Sequence, residues 1–168
     1  MSGDERDRSA SGADGAGAAC GEETEAGYAY LDDVAIADVA FRAWGPSLEA
    51  AFRESARATT GVMVDDLASV RPLERRAVTL RAQDPEMLLL DYLQELVYYK
   101  DAERLFLLPE SLSIRAEADG CRLEGTLAGE PVDRARHALG GDVKAVTLHR
   151  FRVYREDGGW VAEAVLDV

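Results

Sequence analysis

Lysine, histidine and cysteine are scarce in this 168-residue chain: Lys100, Lys144, His137, His149, Cys20 and Cys121 are the whole supply, against seventeen arginines. Each shortage excludes a chemistry. Two cysteines far apart make neither a disulfide framework nor a zinc site. Two histidines, one in a loop and one in a strand, do not assemble a Ser-His-Asp or Cys-His arrangement. No glycine loop is placed to cradle phosphate, because Gly125 and Gly129 stand in strand context. No apolar run approaches the roughly 20 residues of a membrane span, and the first residues are acidic where a secretory signal needs a basic start. These absences predict a soluble, cytoplasmic protein. Each surviving lysine then merits a question.

Acid is abundant. The net charge is −13, of which residues 1–27 carry −5 and the remainder −8. Such a surface repels phosphate backbones, so sequence-specific nucleic-acid binding by the chain alone is disfavoured. A basic partner or a divalent cation suits it better, and solubility alone is the plain alternative. Residues 1–27 hold no aromatic and no large aliphatic residue after Met1, and a segment of that composition cannot offset its ordering entropy. The expected organisation is a disordered acidic tail over 1–27 and one domain over 28–168.

Within that domain, Asp38–Trp44 alternates as a strand, and Ser47 caps a helix with apolar residues at helical spacing from Leu48 to Val62. Val78, Leu80 and Ala82 mark another strand. Asp84-Pro85-Glu86 starts a second helix, running to about Glu103 and apolar around most of its circumference. Such a helix belongs centrally, against a sheet and further protein. Leu112–Ala118 and Cys121–Ala128 flank a hairpin signal at Asp119-Gly120. Gly129 to Gly141 reads as a polar loop with a solvated His137, and Val143–Arg155 and Trp160–Val168 read as the last hairpin. The fold class is α+β: two helices on a mostly antiparallel sheet, in one two-layer domain.

The chain stops inside an apolar strand, which predicts a fixed C-terminal carboxylate beside Asp167. Asp38 interrupts a hydrophobic segment, with Asp32 and Asp33 before it. Together these oxygens fit a hard cation, Ca²⁺ above Mg²⁺ because Ca²⁺ tolerates irregular geometry. Solvated acids at strand ends are the competing reading. Lys144 either neutralises a site acid or is an ordinary surface lysine. His149 reads equally as an edge or core residue.

Several separated segments resemble the archease family, activators of RtcB-type RNA ligases. They are Tyr30-Leu-Asp32, Ala37-Asp38-Val39, Arg42-Ala-Trp-Gly45, Ser47-Leu-Glu-Ala-Ala-Phe52, Tyr92-Leu-Gln-Glu-Leu-Val97, Gly129-Glu-Pro131 with His137, Val143-Lys-Ala-Val-Thr147 and Val165-Leu-Asp-Val168. The resemblance implies a divalent-cation site of Asp38, Asp167 and Val168, with Ca²⁺ foremost and Mg²⁺ or Mn²⁺ as substitutes. It implies that Lys144 serves ligase activation, and that the chain is a non-catalytic cofactor promoting ligase guanylylation in tRNA splicing or RNA repair. Glu95 and Asp101 also match family positions. One departure stands out: the stretch Asp33-Val-Ala-Ile-Ala37 is about two residues longer than the family pattern and lacks its His-Thr pair. The alternatives are a small carboxylate-metal-dependent hydrolase using His149, or a metal-binding scaffold. Oligomeric state is left open.

Overall fold

The computed structural model describes residues 25–32 and 36–168; the expected tail up to residue 24, and Asp33, lie outside the described residues. In chain order the elements are β1 (Gly27–Leu31), β2 (Asp38–Gly45), α1 (Leu48–Met63), a short 3₁₀ turn (Leu67–Ser69), β3 (Glu74–Ala82), α2 (Pro85–Tyr98), a π-helical turn (Tyr99–Glu103), β4 (Leu105–Glu117), β5 (Gly120–Pro131), β6 (Ala145–Glu156) and β7 (Gly159–Asp167).

The helices start where the capping chemistry places them. The Ser47 hydroxyl accepts the Ala50 N–H at 3.1 Å, and the Asp84 carboxylate accepts the Met87 N–H at 2.8 Å. Each cap satisfies a helix-end donor and contributes about 1 kcal/mol. Pro85, in the first turn of α2, needs no hydrogen bond there.

The α+β class holds, but the strands divide between two antiparallel sheets instead of forming one. They are ordered β1-β2-β7-β6 and β3-β5-β4. Both helices touch both sheets: α1 packs on β2, β7 and β4, and α2 on β6, β3 and β5. This accounts for the apolar circumference of α2, whose Leu88, Leu89, Tyr92 and Leu93 are fully enclosed. Phe52 of α1 stacks on Tyr92, with ring centroids 6.1 Å apart. Burying side chains of this size contributes about 1.5–3 kcal/mol each.

Two strand irregularities have local causes. The β4–β5 register shifts at Pro109, which has no ladder N–H to give. In β6 the register breaks between Thr147 and Arg152, around Arg150 at φ 54°. The β4–β5 hairpin turn also differs from the sequence expectation. The β4–β5 loop is Ala118-Asp119, with Gly120 already the first strand residue. The turn with both φ angles positive is Asp157-Gly158 (50° and 79°), between β6 and β7. Its twist matches the flanking strands.

Candidate functional site

Strand register builds the candidate site. β2 begins at Asp38 and runs antiparallel to β7, and the register sets Asp38 directly opposite Asp167. Directly opposed residues project to the same face with Cβ atoms about 5 Å apart. On the other side of β7, Ala145 of β6 is the partner of Asp167. Both aspartates are half-buried.

Backbone bonds hold the last residues from two directions. The Val168 N–H donates to the Ala37 carbonyl at 3.1 Å, and the Lys144 N–H donates to the Asp167 carbonyl at 2.8 Å. Val168 itself is partly buried against the core. Asp38, Asp167, Val168 and the backbone of Lys144 therefore lie together at one end of the sheet. The Lys144 side chain is exposed, and fully buried Val143 anchors the segment that carries it. Asp32 is exposed just after β1. His149 is exposed too, four residues along β6 from Ala145, which at strand rise is on the order of 13 Å from the carboxylate pair.

Two carboxylates on one face plus Val168 make an all-oxygen donor set, which fits a hard divalent cation and not a soft metal. Among the described residues no group of three or more His, Cys, Asp or Glu side chains is placed to hold a metal. A cation here would use the pair and a backbone oxygen of Val168, with water completing its shell.

Beside this pair the segment 138–143 is stitched to the end of α1. Gly140 and Gly141 donate to the Met63 and Val62 carbonyls at 3.0 and 2.7 Å, and Asp65 donates to the Ala138 carbonyl at 2.9 Å. A Cβ on Gly140 would lie 2.3 Å from the Val62 carbonyl oxygen, so only glycine fits. Lys100, in the π-helical turn, is buried beneath this segment. Its ammonium donates to the Asp142 carboxylate and to the Val143 carbonyl at 2.8 Å, and pairs with Asp101 at 2.7 Å. Burial alone would lower the Lys100 pKa, but the bonds to Asp101 and Asp142 prevail and raise it. Hydrogen bonding to Lys100 holds the Asp142 carboxyl below its ordinary range. On α2, Glu95 is raised by burial and then by Asp91.

The expectation of a solvated His137 is overturned: its side chain is fully enclosed. β5 continues through Glu130 and Pro131, and Glu130, 2 % exposed, is the centre of a buried charge cluster. Arg71 grips its carboxylate through Nε (3.0 Å), Nη2 (2.8 Å) and its backbone N–H (2.9 Å). Arg136 pairs with Oε1, the oxygen that also accepts the Arg71 backbone N–H. His137 Nδ1 accepts the Asp133 N–H at 3.0 Å, which leaves Nε2–H to donate to Glu130 at 3.1 Å. Burial first, and the Arg136 charge next, push the His137 pKa down. The signal for this cluster was Glu130 itself, an acid between strand glycine and proline with His137 seven residues on.

A two-helix, two-sheet α+β domain with its final residues paired beside an early aspartate is the class these features define. The model of the Archease protein family (MTH1598/TM1083) matches residues 28–168. Protein archease of Methanopyrus kandleri is 35% identical over 132 residues, covering 79% of this chain and 94% of the relative. Protein archease of Thermococcus gammatolerans is 36% identical over 133 residues, covering 79% and 93%. The solution structure of Methanobacterium thermoautotrophicum protein 1598 superposes with a TM-score of 0.74 at 34% identity, covering 84% of this chain and 99% of that one. An archease of Thermotoga maritima, described as a possible chaperone, shares the fold at 18% identity and a TM-score of 0.52, covering 79% and 91%. The chain belongs to the archease family.

Proposed function

We propose that this chain is a protein cofactor of an RtcB-type RNA ligase, promoting ligase guanylylation with GTP and repeated turnover in tRNA splicing or RNA repair. Family membership supports a protein-assisting role, in keeping with the chaperone description of the Thermotoga maritima relative. The observation that carries the site is the register pairing of Asp38 with Asp167. It joins the first acid of one sheet strand to the last acid of its neighbour.

In this reading Asp38, Asp167 and Val168 hold a divalent cation, with Ca²⁺ the best match to an irregular oxygen set. When bound, the cation supplies positive charge to phosphate oxygens. The work of the chain's own residues is positional. The Ala37 and Lys144 backbone bonds fix Val168 and Asp167, and the anchored 143–144 segment leaves the Lys144 side chain exposed to a partner. A charge held in place before the partner arrives needs no reorganisation during phosphoryl-type transfer.

The test is guanylylation of the ligase from the same organism, with wild type and Asp38→Ala side by side. Acceleration by wild type alone supports the proposal, and equal rates with and without the protein reject it. The hydrolase reading gains no support from His149, which is exposed on β6 and makes no bond to either carboxylate. Phosphoester turnover by the purified chain would revive it.

A further inference from the structure

A second cavity, of about 310 Å³, opens between the π-helical turn, the start of β4 and the 132–142 segment. Most described arginines are committed: Arg42, Arg57, Arg71, Arg75, Arg76, Arg81, Arg115, Arg122, Arg136 and Arg152 each pair with a carboxylate, and Arg155 lies over Trp160. Arg104 and Arg134 make no direct ion pair among the described residues; both line this cavity, whose wall also holds Asp101 and Asp142, and the Arg104 charge acts on Asp142 from a distance. Arg53 shares the lack but does not line it. In a chain of net charge −13, two guanidinium groups left unpaired around one concavity call for an explanation.

The backbone adds an independent observation. Arg104 caps the π-helical turn in the left-handed conformation, at φ 59° and ψ 41°. For a residue with a side chain this costs about 1–2 kcal/mol, which glycine would avoid. Such strain, and π-helical turns themselves, concentrate where function holds them in place. The cost keeps a guanidinium at the cavity where a glycine would leave none.

We propose that this cavity binds a phosphomonoester of nucleotide size, its phosphate held between Arg104 and Arg134. A carboxylate offers two oxygens and fills one guanidinium fork, whereas a phosphate has oxygens enough for two. Lys100 is neutralised by Asp101 and Asp142 and only keeps the wall fixed, so the attraction for an anion comes from the two guanidinium groups. Met63 and Phe106 also line the cavity, and its volume exceeds that of a bare phosphate, leaving apolar wall for the organic body. The site is separate from the Asp38–Asp167 pair and is tested without any ligase.

Isothermal titration of the full chain with AMP, inorganic phosphate, adenosine and a polyglutamate peptide tests it. AMP should bind, and Arg134→Ala should weaken it by about tenfold or more. Arg104→Gly should do the same while relaxing the backbone, so lost binding in that variant cannot come from a strained fold. Inorganic phosphate binding as tightly as AMP would overturn the role of the organic body, and adenosine binding as tightly as AMP would overturn that of the phosphate. The proposal is overturned if neither AMP nor phosphate binds at about 10 mM, the range of the weakest specific sites. It is equally overturned if both arginine variants bind as wild type does, or if only the acidic peptide binds.

Discussion

Two charged regions of this molecule are built in opposite ways. At the Asp38–Asp167 pair, backbone ladders bring two like charges together and leave them half open to water. At Glu130, side chains bring opposite charges together, with the carboxylate and His137 enclosed while Arg71 and Arg136 cover them from the solvent side. The first arrangement carries repulsion that the fold tolerates through its backbone bonding. The second balances a buried carboxylate with two guanidinium groups and an imidazole, and would be costly if any partner were missing. A half-open pair of like charges suits a site that takes in a cation. A closed, neutralised cluster suits a fastener.

The contrast can be broken most forcefully at the fastener. Glu130→Ala removes the partner of buried His137 and of the half-exposed Arg71 and Arg136, and should cost about 1–3 kcal/mol, read from urea denaturation midpoints. Gly140→Ala forces a backbone shift against Val62 and should cost about 1–3 kcal/mol by the same measurement. Acidification gives a finer probe. The His137 pKa is depressed in the fold, so the unfolded chain takes up its proton first as pH falls through about 6.5. Stability should therefore be full above that pH and decline below it, and His137→Asn should flatten the decline between pH 7.5 and 5.5. The smallest stability effect belongs to the open pair. Asp38→Asn or Asp167→Asn should change stability by less than about 0.5 kcal/mol, yet weaken Ca²⁺ binding in calorimetry. One residue added after Val168 should weaken it likewise; undiminished binding would remove the end of the chain from the donor set.

The open pair was legible in the sequence because β-strand alternation and an acid inside an apolar run are local signals. Pattern singled out Asp38, Asp167 and the residue after it, the family resemblance added Lys144, and register then set Asp38 opposite Asp167. Glu130 and His137 were not legible in that way. A polar stretch between glycines reads as solvated unless its members neutralise one another, and mutual neutralisation is a fact of three dimensions. The division into two sheets was hidden for a related reason. Pairing β2 with β7 joins residues more than a hundred positions apart, while the apolar girth of α2 said only that protein lay on all sides. Arg104 was invisible because nothing in its neighbours announces a left-handed backbone.

Both helices serve both sheets, and this has a consequence for how the molecule comes apart. Neither sheet owns a helix it could keep if the other melted, so partial unfolding would expose the same shared leucines and Tyr92 as complete unfolding. Amide protons in β2, β7, β5 and α2 should then exchange together, at the rate of whole-molecule opening. A partner would meet the domain as a single rigid piece, all of it present or none.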